Sequence, residues 1–145
     1  MTEGTLNAIV RQSFETMGDR AFLEVLGAGT RTYAEIYESA RRCAGAFRRL
    51  GVGRGDIVAI VCGNTFDGVC SWLGANLAGA AEATLNPANR GASLEHALNT
   101  VRARVAVVEE RFLATLRESE SALPYLRTVL CSCPAGRTAE LPRFE

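Results

Sequence analysis

Groups able to do chemistry are unevenly stocked in this 145-residue chain: five thiols, one imidazole, sixteen guanidinium groups and no lysine amine. Cys62 is the best placed of the thiols. It falls where an apolar run gives way to a helical pattern, the strand-to-helix turn that carries the nucleophile in hydrolase-type folds. The glycine pattern that flanks such nucleophiles is missing, and the only base on offer is His96. On a helix His96 lies opposite Leu94, Ala97, Leu98 and Val101, facing solvent rather than a thiol. A buried, apolar Cys62 is the expectation. Cys131-Ser132-Cys133 supplies two thiolates with no second pair and no adjacent histidine, half of an intermolecular metal site at most. No acid pair is fixed by spacing, so residue chemistry alone gives no catalytic centre.

The segment RLGVGRGDIVAIVC gathers Gly51, Gly53 and Gly55. Glycine-rich turns cradle phosphates when they follow a strand and open a helix. Here the order is reversed, with the helix first, so the nearest dipole end is negative. A helix C-cap followed by a turn is the reading. Arg54-Gly55-Asp56 spells an adhesion tripeptide, but nothing marks the chain for export. The loops at the carboxyl ends of strands are better placed, because open parallel sheets bind ligands there. Those loops are Gly63-Asn64-Thr65, Asn86-Pro87-Ala88-Asn89-Arg90 and Glu109-Glu110. Their plain reading is that Asn64 or Thr65 caps a helix and Asn86-Pro87 turns the chain.

The elements that position these groups alternate. Leu6, Ile9, Val10, Phe14 and Met17 repeat at helical spacing between Thr5 and Gly18, and AFLEVLGAGTRTY suggests a hairpin. Thr32-Tyr33-Ala34-Glu35 is a capping box ahead of an apolar stripe from Tyr33 to Leu50, stopped by Gly51. DIVAIVC is a continuous apolar run, as in a strand covered on both faces. A helix rich in small residues, apolar nearly all round, runs from about 65 to 79. Then come a strand at EATL, a helix from Ser93 to about Arg102, a strand at RVAVVE, a helix at ERFLATLRES and a strand at RTVLCS. This specifies a mostly parallel α/β sheet with helices on both faces, preceded by a short N-terminal helix and hairpin. The divisions are an N-terminal helix (1–19), an α/β core (20–132) and an irregular tail (133–145).

Bulk composition excludes several partners. Zero formal net charge leaves no electrostatic footprint for nucleic acid or an anionic membrane. The longest apolar stretch, 66–85, is broken by Asp67, Asn76 and Glu82, so no membrane span is expected. The opening MTEGTLNAIVRQSFETM carries two acids where a leader is basic. An odd cysteine count without disulfide spacing fits a reduced, cytoplasmic protein.

Read in order, RTYAEIYESARRCAGAFRRLGVGRGDIVAIVCGNTFDGVCSWLGANLAGAAEATLNP resembles the opening segment of the adenylate-forming superfamily, the ATP-dependent acyl-CoA synthetases and their relatives. TYAEI is similar to the first core motif, LGVGRGDIVAIVCGNTFD to the following helix-end, strand and asparagine pattern, and LAGAAEATLNP to the second. The likeness runs from about 20 to 130. One departure is Thr84, where relatives often have proline.

The resemblance implies the leading part of the large N-terminal domain of a two-step ligase, in fatty acid metabolism. A carboxylic acid attacks ATP to give an acyl-adenylate, and a thiol, usually CoA, then displaces AMP. ATP, Mg²⁺ and CoA are implied for the complete enzyme, and none is expected to be bound by this segment alone. The family's Gly/Ser/Thr-rich phosphate loop and its C-terminal lysine are expected beyond residue 145, so no catalytic residue is carried over. Relatives use part of this segment as wall for the acyl or CoA pocket, and Asn64, Asn86 and Arg90 are the candidates for that edge. The expected partner is the remainder of the synthetase, with self-association through apolar surface left exposed around 65–79. A stand-alone acyl- or CoA-binding module and one piece of a split enzyme are the alternatives.

Overall fold

A computed structural model of the chain describes residues 5–133 and the backbone of 138–141. Helix α1 (Leu6–Met17) opens at Thr5, whose hydroxyl accepts from the Ala8 N–H. Strands β1 (Ala21–Val25) and β2 (Gly29–Thr32) pair antiparallel as the expected hairpin. Helix α2 (Tyr33–Arg49) starts at a complete capping box. The Glu35 N–H donates to Thr32 Oγ1 at 3.2 Å and the Thr32 N–H to Glu35 Oε2 at 2.8 Å.

The end of α2 answers the question of the glycines. Gly51 takes φ +76°, its N–H donates to the Arg48 carbonyl, and the Val52 N–H reaches back to Phe47 O at 2.9 Å. That is a Schellman cap, completed by contact between Val52 and Phe47 in one apolar cluster. The Gly53 N–H donates to Asp56 Oδ2 at 2.9 Å. The backbone donors at Gly51 and Gly53 are therefore spent inside the turn, as a phosphate cradle's could not be.

Five strands form the main sheet: β3 (Ile57–Val61), β4 (Ala81–Thr84), β5 (Val105–Glu109), β6 (Thr128–Ser132) and β7 (Thr138–Leu141). Their order is β4-β3-β5-β6-β7, the first four parallel and β7 antiparallel to β6. Helices α3 (Phe66–Ala78), α4 (Gly91–Val101) and α5 (Leu113–Glu118) make the crossovers. Side chains alternate across the sheet as the pleat requires. Val58, Ile60, Val105 and Val107 pack with Phe47 and Ala75 on the face covered by α2 and α3. Ala59, Val61, Ala106 and Val108 pack with Leu94, Leu98 and Leu116 on the face covered by α4 and α5. Double coverage explains the unbroken apolar runs of β3 and β5.

Helices α2 and α3 approach closely. A Cβ at Gly74 would stand 2.5 Å from Cys43 Cβ and 3.0 Å from the Ala40 carbonyl. Helix α1 joins them through Leu6 and Val10, and Phe14 stacks on Tyr37 at 4.7 Å. No residue of α3 is exposed, although it is apolar nearly all round. The large apolar side chains left exposed among the described residues are elsewhere: Ile9, Phe22, Leu26 and Tyr125. No helix among the described residues is long and apolar enough to cross a membrane.

Some boundaries differ from the sequence reading. The span 133–145, expected to be an irregular tail, contains β7, and residues 134–137 and 142–145 lie outside the described residues. A four-residue strand on the sheet edge draws its hydrogen bonds from β6 and needs no periodicity of its own. Of the two cap candidates for α3 it is Thr65 that serves, its hydroxyl accepting from the Gly68 N–H at 3.1 Å. Helix α4 begins at Gly91, two residues before Ser93. The ERFLATLRES segment divides into a 3-10 turn (Glu110–Phe112) and the short α5.

Candidate functional site at the carboxyl edge of the sheet

The chain leaves β3 towards β4 on one side and returns to β5 on the other. That reversal opens a crevice at the carboxyl ends of β3 and β5, the general ligand position of open α/β sheets. Gly63-Asn64-Thr65 borders it from β3 and Glu109-Glu110-Arg111 from β5. The two loops are tied together. The Gly63 N–H donates to Glu109 Oε2 at 2.8 Å, and Arg111 Nε lies 2.7 Å from Glu109 Oε1. One strand further on, the Ser132 hydroxyl at the end of β6 donates to Asp67 Oδ2 at 2.5 Å, in the first turn of α3.

Asn64 and Asn86 are both exposed at this edge, as is Arg90. Asn86 does turn the chain, its Oδ1 accepting from the Ala88 N–H at 2.9 Å. Arg90 is the residue before α4 and gives that helix no side-chain cap. Its guanidinium donates to the Pro87 and Asn89 carbonyls and lies 5.9 Å from the Phe112 ring, which also carries Arg111 at 4.7 Å. The loops after β4 and β5 thus meet through Phe112. A groove of about 890 Å³ lies between the hairpin, α2 and the start of α3, with Arg31, Arg42, Phe66, Asp67, Glu109 and Ser132 in its wall; Asn64, Asn86 and Arg90 do not line it.

Cys62 is buried and its thiol is pushed up to about 12, first by burial and then by the Glu109 carboxylate. It packs on the α2–α3 face, whereas α4, carrying the exposed His96, packs on the other. The two form no dyad. Among the described residues no group of three or more His, Cys, Asp or Glu could hold a metal ion. The Gly51 and Gly53 N–H groups are spent within their own turn and are not presented to an anion. The tie between Asp67 and Ser132 was invisible in the sequence, because nothing local links residues 65 apart.

A family model described as AMP-binding enzyme matches residues 10–142. The 4-coumarate–CoA ligase 3 of Oryza sativa subsp. japonica is 38% identical over 87 residues, covering 60% of this chain and 16% of that protein. The medium/long-chain-fatty-acid–CoA ligase FadD6 of Mycobacterium tuberculosis is 29% identical over 117 residues, covering 81% of this chain and 19% of the relative. The crystal structure of the anthranilate CoA ligase AuaEII in complex with anthranoyl-AMP superposes with a TM-score of 0.82 at 22% identity, over 87% of this chain and 24% of that one. The chain therefore spans less than a fifth of the length of these two curated relatives. A 4-coumarate ligase stands beside a fatty-acid ligase among them, so fatty acid metabolism is narrower than the likeness supports.

Proposed function

The chain belongs to the AMP-binding enzyme family, and on that premise we propose that it is the scaffold portion of an ATP-dependent acid–thiol ligase. The complete enzyme would activate a carboxylic acid as its acyl-adenylate and pass the acyl group to a thiol, CoA in the first instance. The observation that carries this reading is the family match over 10–142, which takes in the whole α/β sheet from β3 to β7. The names of the relatives support CoA as acceptor, and they support aryl as much as fatty acids as substrates.

Division of labour follows from the residues present. Charge develops on the phosphorus during adenylation, and a cation beside it offsets that charge. A chain with no lysine cannot supply the family's ammonium group. ATP, Mg²⁺ and the chemical step therefore belong to the complementary portion of the ligase, which is the proposed partner. This chain contributes the packed sheet and one edge of the acyl–thiol pocket, with Asn64, Asn86 and Arg90 along it. Ile9, Phe22 and Leu26, the last 95% exposed at the hairpin tip, supply apolar surface for that partner or for self-association. Five cysteines with no disulfide among the described residues suit a reducing cytoplasm.

The test is reconstitution. The chain is mixed with a polypeptide supplying the rest of a related ligase, and thioester formation is followed with CoA and a panel of aryl and alkyl acids. Thioester should form only when both are present. Saturable binding of CoA by this chain alone, with no gain on mixing, would favour an independent binding module instead.

A further inference from the structure

The turn after β3 is held more firmly than the helix behind it requires. Thr65 already caps α3, and β3 is paired with β4 on one side and β5 on the other. A second set of groups nevertheless converges on Gly63. Its N–H is taken by Glu109 Oε2 at 2.8 Å, and Arg111 holds the same carboxylate from outside. The Arg111 guanidinium occupies the space a side chain at position 63 would need, and Glu109 Oε2 would stand 3.3 Å from a Cβ there. The Thr65 N–H closes a three-residue turn on the Gly63 carbonyl at 2.9 Å. Asn64 is left exposed at the apex, with its backbone anchored on both sides.

We infer that Glu109 is a positioning residue, fixing Asn64 at the carboxyl edge through the Gly63 N–H. The inference rests on the reading that Asn64 borders the acyl–thiol pocket. A free three-residue turn samples many conformations, and ordering it on ligand arrival costs affinity. Anchoring it beforehand removes that cost, as supporting groups do around binding sites in general. Glu109 suits the task. A carboxylate accepts through both oxygens, so one can hold the turn while the other holds Arg111. With its side chain only 17% exposed, the carboxylate is shielded enough for both contacts to persist. Glu109 acts through Asn64 and not by touching the ligand.

Two measurements test this. Amide hydrogen exchange is compared for the chain, Glu109→Ala and Glu109→Gln, with urea unfolding alongside. Glutamine keeps an acceptor for the Gly63 N–H; alanine does not. Exchange at 63–65 should rise on the order of tenfold in Glu109→Ala, stay near the unsubstituted rate in Glu109→Gln, and hold constant in β3 and β5 of both. Unchanged exchange at 63–65 in Glu109→Ala overturns the inference. Should that variant not fold, Glu109→Met keeps the stem, lacks the carboxylate acceptor and takes its place. In the reconstituted ligase, Asn64→Ala and Glu109→Ala should each raise KM for acid or thiol by about tenfold with kcat little changed. The double variant should cost no more than Asn64→Ala alone. A KM effect from Asn64→Ala with none from Glu109→Ala overturns the positioning role. No KM effect from Asn64→Ala, with loop exchange still dependent on Glu109, overturns the pocket reading and upholds the tether.

Discussion

The close approach of α2 and α3 makes a sharp prediction, because the same substitution at two helical glycines should have opposite signs. At Gly74 an added Cβ would stand 2.5 Å from Cys43 Cβ and 3.0 Å from the Ala40 carbonyl. Carbon atoms pack best at about 3.5–4.0 Å, so the overlap is roughly 1 Å and falls partly on backbone that cannot swing aside. Overpacking of this kind costs about 1–3 kcal/mol, against about 1 kcal/mol gained from alanine's helix propensity. Gly74→Ala should therefore lose about 1 kcal/mol, the middle of a range of about 0–2 kcal/mol. At Gly45 on α2 the nearest atom to an added Cβ is Arg49 Nη1 at 3.7 Å, the far end of a flexible side chain. Gly45→Ala should gain about 0.5–1 kcal/mol, since only the propensity term remains. Urea unfolding reads the difference directly. With a slope of about 2 kcal/mol per molar, the two midpoints should part by roughly 1 M, on either side of the unsubstituted chain. A Gly74→Ala midpoint at or above that of the unsubstituted chain would refute the packing of α3 against α2.

Other perturbations address single devices. Thr32→Ala removes the hydroxyl half of the capping box and should lower stability by about 1 kcal/mol in the same urea assay. Ser132→Ala withdraws the donor from Asp67 Oδ2 and should cost about 1.5–3 kcal/mol, because a hydrogen bond to a charged group is lost. Alkaline pH should destabilise the fold through its buried thiols. Cys62 and Cys70 are both pushed up to about 12, each by burial first, then by Glu109 and by Cys43 respectively. The unfolded chain releases these protons from about pH 8.5, so the folded state holds more of them above that value. Their contribution is intact below about pH 8.5 and is lost as pH rises towards about 12. Urea midpoints from pH 8 to 11 should fall less steeply in a Cys62→Ala, Cys70→Ala double variant, and equal slopes would contradict the assignment.

How much the sequence disclosed depended on whether the signal was local. Thr5, the Thr32–Glu35 box and Gly51 each act within one turn of their own residue, and each stands where its pattern places it. The apolar runs of β3 and β5 announced burial on both faces, since every residue of an inner parallel strand meets a helix layer. What escaped notice needs partners distant in sequence. Strand β7 exists by virtue of the open edge of β6, and TAEL is too short to alternate. The site was legible only in part. Its loops could be located from the order of strands and helices, but the Glu109 carboxylate reaching Gly63 across 46 residues leaves no local trace.

The central claim is that this chain supplies scaffold while the adenylation chemistry resides in a complementary portion of the ligase. ATP–pyrophosphate exchange tests it most directly, because exchange reports acyl-adenylate formation before any thiol takes part. The purified chain, offered aryl and alkyl carboxylic acids with Mg²⁺ and ATP, should give none, and exchange should appear when the complementary polypeptide is added. Exchange by the purified chain alone, persisting after any contaminating ligase is removed, would contradict the account.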